Sequence, residues 1–260
     1  MPRLPLLRRP AARGQAQVLV QGRVQPDPAD GTPARWPGHP KGSAAYRKIL
    51  AGLAFAGVAT FAQLYSTQAV LPMMAADLQI TAAEAALTIS LATVGLAATV
   101  LPWSFLADRI GRVRAMMWGI SAATVLGLLV PLASSFPMLL GLRMLEGMAL
   151  GGIPAIAIAY LNEEVNRAHA ALAAGTYVAG TTLGGLAGRL LAGFVGELWG
   201  WRAAALAVSV LAAAAAALFV VLVPQARGFT AAAASGFRGA LRTLAGHGRN
   251  PRLLALYVQA

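Results

Sequence analysis

Arg143 and Glu146 stand three residues apart in Leu142-Arg143-Met144-Leu145-Glu146-Gly147, inside a stretch that is otherwise uncharged from Met138 to Tyr160. On a helix this spacing places both side chains on one face. Counted from Pro137 at about 1.5 Å per residue, Arg143 lies about 9 Å and Glu146 about 13 Å along the axis. Glu146 therefore falls near the middle of a bilayer core about 30 Å thick, and it is the only carboxylate well inside any membrane-length stretch. Burial favours a neutral carboxyl, and a neighbouring guanidinium favours the ionised one. A group poised between the two can take up and release a proton as its access to water changes. The same two residues also read as a permanent ion pair that pins one helix to its neighbour, and the spacing leaves both readings open.

A second charged cluster lies in Ser104-Phe105-Leu106-Ala107-Asp108-Arg109-Ile110-Gly111-Arg112-Val113-Arg114. The uncharged run Ala85–Ala107 enters it, and the uncharged run Ala115–Leu142 leaves it. A turn with one acid and three arginines cannot sit in hydrocarbon. Short Arg-rich loops stay on the cytoplasmic side, so the pattern predicts a tight cytoplasmic hairpin between two transmembrane helices.

Three further sets of residues qualify for a role. Gln63, Tyr65, Ser66, Thr67 and Gln68 interrupt the first apolar stretch, and polar residues in a spanning helix face a bundle interior or a cavity. Gly180, Gly184 and Gly188 recur every four residues beside Gly175, Gly185 and Gly193, a smooth stripe that lets helices approach closely. It is read either as packing or as a place where a helix slides in gating. Arg189 closes the glycine stripe near the outer end of its helix, where a long side chain can snorkel to the interface.

Composition sets the medium around these residues. Of the 260 residues, 58% are hydrophobic and 12% charged, with a mean hydropathy of +0.64; soluble domains run at about 45–50% and about 25%. The net charge of +12 does not indicate nucleic acid, because the basic residues fall in the gaps between apolar runs. There is no cysteine, hence no disulfide or thiolate metal site. The three histidines have no metal-binding spacing, and neither lysine, Lys41 nor Lys48, ends a phosphate loop. No nucleophile–base set occurs within the apolar runs, so no enzyme is indicated, and no cofactor is called for.

The expected organisation is a disordered basic cytoplasmic tail over 1–48, a six-helix transmembrane domain over 49–224, a central cytoplasmic loop over 225–252, and the start of a further helix over 253–260. The six spans are expected at about 49–74, 85–107, 116–132, 138–160, 171–195 and 203–223. An amphipathic membrane-surface helix is expected over 231–245. With this layout 18 of the 21 Lys and Arg lie on the inner side, which puts both the N-terminus and the central loop in the cytoplasm. The fold class is all-α, a polytopic membrane helix bundle.

Together these residues resemble the major facilitator superfamily of secondary transporters. The loop between helices two and three of that family reads Gly-x-Leu-Ala-Asp-Arg-x-Gly-Arg-Lys, matched here at Leu106, Ala107, Asp108, Arg109, Gly111 and Arg112, with Ser104 for the first Gly and Val113 for the last basic residue. The helix-four pattern Arg-x-x-Gln-Gly is matched at Arg143 and Gly147, with Glu146 for Gln. The antiporter pattern of helix five falls on Gly180, Gly184 and Gly188, with Gly185 for Pro and Arg189 for the last Gly. Gly200-Trp201-Arg202 resembles the entry to helix six. The resemblance is nearest to the bacterial drug and sugar efflux branch, including arabinose-efflux-permease-like proteins. It implies twelve helices in two halves, with substrate bound between them, of which this chain supplies the N-terminal half. The expectation is therefore a truncated product or fragment, needing a C-terminal half or a second copy.

On that resemblance, Glu146 and Arg143 carry proton coupling in the inner membrane of a bacterium. Ser104, Asp108, Arg109, Gly111 and Arg112 form a cytoplasmic gate, and Gln63, Tyr65 and Gln68 line the substrate cavity. Gly147, Gly180, Gly184, Gly185, Gly188 and Arg189 serve helix packing and gating. The partners are then the lipid bilayer, a small-molecule substrate and protons. The competing reading is a six-helix scaffold or a transporter remnant that moves nothing.

Overall fold

The computed structural model describes residues 36–229. Residues 1–35 of the tail expected over 1–48, the surface helix over 231–245 and the apolar run at 253–260 lie outside the described residues, whereas 36–48 are ordered and already enter the first helix at Ala44. Among the described residues every regular element is helical, and the one β contact is an isolated bridge between His39 and Val165.

Helix α1 (Ala44–Leu64) starts five residues before Ile49, because the Ser43 side chain caps it by accepting from the Tyr46 amide at 3.1 Å. It stops in mid-span. A turn at 65–67 and a 3₁₀ turn (Gln68–Val70) lead into α2 (Leu71–Leu78), with Pro72 at its start, where a missing N–H does no harm. Helix α3 (Ala82–Ile110) opens with a reciprocal Thr81–Glu84 capping box, so only three residues separate it from α2. It ends at Gly111, whose φ of +98° is open to glycine and strained for other residues. Helix α4 (Arg112–Leu129) begins at the next residue. Helix α5 (Phe136–Leu150), capped by Ser135, breaks at Gly151-Gly152 and resumes as α6 (Ile153–Glu164).

Helix α7 (Ala170–Leu222) turns back on itself at Gly200, where φ is +82° and ψ 171°. Its two arms run along the same helix: Thr181 of the first meets Gly57, and Val223, just past the second, meets Gly52. Among the described residues five helical stretches are long and apolar enough to cross a membrane, and the last of them, Arg167–Leu222, is 56 residues long. Such a length is far more than the roughly 20 residues one crossing needs. The expected spans five and six are the two arms of this stretch.

The glycine stripe is a contact surface for α1. A methyl at Gly180 would lie 2.7 Å from the Ala54 Cα, and at Gly188 2.8 Å from the Ala62 Cα. A second such seam joins α3 to α5, where Gly147 lies against the Ala92 backbone and Gly95 against Met144 and Met148. The α1–α2 and α5–α6 stretches form the centre of the bundle, whereas α3 and the first arm of α7 leave long apolar faces exposed.

Candidate functional site

The break in α1 creates the demand that the central cluster meets. Where α1 stops, its last carbonyls lose their intrahelical donors, and in the middle of a bilayer no water replaces them. Arg143 of α5 replaces them. Its Nη2 donates to the Leu64 carbonyl at 2.7 Å, its Nη1 to the Gln63 carbonyl at 3.2 Å and to Ser66 Oγ at 3.4 Å, and its Nε to the Thr88 carbonyl of α3 at 3.3 Å. A helix C-terminus carries partial negative charge, so a cation is the suitable cap.

Nη1 of Arg143 also donates to Glu146 Oε2 in a short ion pair. The two side chains are 0% and 2% exposed. Glu146 Oε1 faces Gly127 of α4, as do Gln63 Nε2 and Ser209 Oγ from the second arm of α7. Bare glycine at 127 leaves room for three polar heads; a methyl there would lie 3.1 Å from both Glu146 Oε1 and Ser209 Oγ. Gln63 donates to the Ala123 carbonyl at 3.0 Å, while its Oε1 is buried without a hydrogen-bond partner. The arrangement is a buried polar core in which one cation, one carboxylate and one amide are enclosed by α1, α3, α4, α5 and the second arm of α7. Thr88, which lends its carbonyl and also donates to Thr67 Oγ1 at 3.1 Å, had no signal in the sequence beyond being polar in an apolar run.

The three expected cavity residues therefore separate. Gln63 points into the buried core, Tyr65 is half-buried and Gln68 is exposed. Tyr65 lies on the other side of the break: its ring is 6.2 Å from that of Phe61 and backs onto Gly185, and the Arg189 guanidinium lies over it, 4.7 Å from the ring centre. Arg189 is thus held at the level of the α1 break, not drawn out toward the interface.

The hairpin cluster sits at the opposite end of α4 from the 130–135 turn. Arg112 pairs with Asp108 at 2.5 Å and with Glu163 of α6 at 2.9 Å, its Nε donating to the same Glu163 Oε1 at 3.1 Å. Asp108 and Arg112 are brought together by the Gly111 turn, while Arg109 is exposed. Ser104 donates to the Val100 carbonyl of its own helix at 2.8 Å, so its hydroxyl takes no part in the pairing. Glu163 was the partner that sequence reasoning did not assign. The signal was available in the two adjacent acids at the end of an apolar span. The second of them, Glu164, is 0% exposed and accepts at 2.5 Å from each of the backbone amides of Arg227 and Gly228, while its carbonyl accepts from the His39 amide at 2.7 Å. Tyr160 donates to the Pro224 carbonyl at 2.7 Å. The segments before α1, after α6 and after α7 are tied together at this end. At the far end Arg202 and Trp201 both donate to Asp77.

Among the described residues no group of His, Cys, Asp and Glu could hold a metal ion. Comparison with known proteins agrees with the fold. A family model described as Major Facilitator Superfamily matches residues 53–258. The Inner membrane transport protein YnfM of Escherichia coli (strain K12) is 33% identical over 189 residues, covering 73% of this chain and 45% of that protein. The Uncharacterized MFS-type transporter YybF of Bacillus subtilis (strain 168) is 34% identical over 219 residues, covering 84% and 54%. The crystal structure of peptide transporter POT in complex with sulfate superposes with a TM-score of 0.64 at 15% identity, over 82% of this chain and 46% of that one, a likeness of fold alone. The chain spans about half the length of the curated relatives it matches.

Proposed function

The chain belongs to the Major Facilitator Superfamily and is a multi-pass membrane protein, and from that premise we propose that it is the N-terminal half of a proton-coupled exporter of a small molecule. The observation that carries the reading is the buried Arg143–Glu146 pair at the break in α1. A carboxyl buried in the span favours its neutral form, and the guanidinium beside it favours the ionised one, so this pair is a place where a proton can be taken up and released. The buried Gln63 Oε1, which faces the same core, is an acceptor suited to the protonated form of Glu146.

In this reading the end bearing Arg109, Arg112, Arg114 and Arg167 faces the cytoplasm, as do the N-terminus and the segment after α7, and the membrane is the inner membrane of a bacterium. Asp108, Arg109, Arg112 and Glu163 form the cytoplasmic gate, and Gly111 sets the turn that carries it. A second six-helix unit, from the same polypeptide or from another copy, covers the exposed faces of α3 and the first arm of α7. Substrate binds between the units near Tyr65 and Gln68, and alternating access rocks one unit against the other. The reading takes the chain as one of the drug and sugar efflux branch, which the resemblance in its sequence supports.

The test is proton movement. The full chain, with whatever completes it in the cell, is reconstituted in proteoliposomes carrying an imposed pH gradient, and an entrapped pH-sensitive dye is followed as candidate drugs and sugars are added. Wild type dissipates the gradient with at least one of them. Glu146→Gln does not, yet it still exchanges labelled substrate across the membrane. Proton-driven transport by Glu146→Gln with the wild-type pH dependence would remove Glu146 from the mechanism.

A further inference from the structure

Arg189 is the second cation in the spanning part of the molecule, and it is placed quite unlike the first. Arg143 is neutralised by Glu146 and fully used. Among the described residues Arg189 takes part in none of the five ion pairs and in no side-chain hydrogen bond, and its one recorded partner is the face of Tyr65. It is exposed, on the flank of a face that also exposes Leu183, Leu186, Leu190 and Phe194. It stands eleven helical steps before the Gly200 turn, about 16 Å along the axis, so its Cα lies at mid-depth. The contact with Tyr65 keeps the guanidinium there as well.

The platform beneath it is fixed. The Tyr65 ring lies 3.4 Å from where a Cβ on Gly185 would be, next to the Phe61 ring, and it belongs to the broken turn that Arg143 anchors from the other side. A ring face attracts a cation without neutralising it. A guanidinium so held keeps its net charge and its N–H donors, and such a fork suits a carboxylate or phosphonate bound through two oxygens. A cation at this depth is expensive unless an anion joins it.

We propose that Arg189, held over Tyr65, is the anion-binding element of the substrate site, and that the transported molecule is a small organic anion with an apolar body. The inference rests on the transporter reading for the word substrate, but the binding it asserts does not depend on transport. The negative group belongs to the cargo, and the apolar body lies toward the exposed leucines beside Arg189.

The experiment follows thermal unfolding of the purified full chain in detergent. The probes are benzoate, succinate and phenylphosphonate, with benzamide as the neutral counterpart of benzoate. At least one of the anions raises the unfolding temperature of wild type, and benzamide does not. Arg189→Gln, an exposed site whose loss leaves the fold intact, weakens the effective anion by about tenfold or more, whereas Arg189→Lys retains part of the effect because it keeps the charge and loses the fork. Tyr65→Phe keeps the ring face and binds nearly as wild type; Tyr65→Leu does not. The proposal is overturned if no anion stabilises wild type, if benzamide matches benzoate, or if Arg189→Gln responds as wild type does. Loss of ordered assembly in Arg189→Gln with no anion effect in wild type would show instead that an acid of a second helical unit neutralises Arg189. Glu146→Gln separates this inference from the functional reading: anion stabilisation persists in that variant whether or not coupling to protons is lost.

Discussion

A guanidinium meets a carboxylate both in mid-span and at the basic end of the bundle, and the surroundings make them different devices. At the α1 break, Arg143 and Glu146 are 0% and 2% exposed, and every arm of the guanidinium is committed to backbone or side-chain acceptors. At the hairpin, Arg112 is 15% exposed, Asp108 35% and Glu163 26%, and water competes for all three. Breaking a pair of the first kind strands a buried charge, whereas a pair of the second kind exchanges protein for water at little net cost. A transport cycle can open and close the hairpin cluster in every turnover. The core resists such a change, since separating Arg143 from Glu146, or protonating Glu146 alone, leaves a buried guanidinium without its counter-charge.

The sharpest way to break this contrast is to remove Arg143. Arg143→Ala leaves the Leu64 and Thr88 carbonyls without the donors they have now and Glu146 without its counter-charge. The expected loss is about 3–5 kcal/mol, enough to abolish a monodisperse species in detergent chromatography. Arg143→Lys does not restore it, because an ammonium has three donors on one atom and cannot span acceptors on α1, α3 and α5 together. If Arg143→Ala stayed folded and monodisperse, the break in α1 would not depend on its cap.

Gly147→Ala probes the seating of that core. The added methyl would strike the Ala92 backbone of α3, and backbone cannot move aside as a side chain would. Overpacking of this kind costs about 1–3 kcal/mol, and α5 must withdraw from α3, loosening the Arg143–Thr88 contact first. The expected result is a lowered unfolding temperature. Gly141→Ala, at a position with nothing within 4 Å of an added methyl, is the control and should unfold as wild type does.

The sequence already marks out much of this. Apolar runs separated by charged turns locate the helices to within a few residues, and the short charged cluster between Ala107 and Ala115 marks the hairpin that the structure closes at Gly111. The Arg143–Glu146 pairing follows from helical spacing alone. Tertiary choices were hidden. The apolar run around Ile49–Met74 reads as one helix, yet it breaks at 65–67, because the donors that make the break tolerable come from α5, some eighty residues away. The break at Gly151-Gly152 is similar: the Met148 carbonyl next to it accepts from Thr99 and from Trp103, each at 2.8 Å. Gln63 was placed with Tyr65 and Gln68 because the three are neighbours in sequence; the end of the helix between them turns Gln63 inward and Tyr65 and Gln68 the other way. Glu163 went unassigned for want of any local cue linking it to Arg112 on another helix.

The smallest expected effect lies at the hairpin. Arg112→Gln and Glu163→Gln each lower stability by about 0–1 kcal/mol, and their double-mutant cycle gives a coupling of the same size that shrinks as salt is raised. The matching cycle between Arg143 and Glu146 gives a larger coupling that salt leaves unchanged, because no ion reaches a pair that is 0% and 2% exposed. Equal salt dependence at the two sites would mean that water enters the core at the α1 break. In that case Glu146 would not need a conformational change to reach solvent, and the core would lose its claim to be the element that couples proton movement to rocking of the bundle.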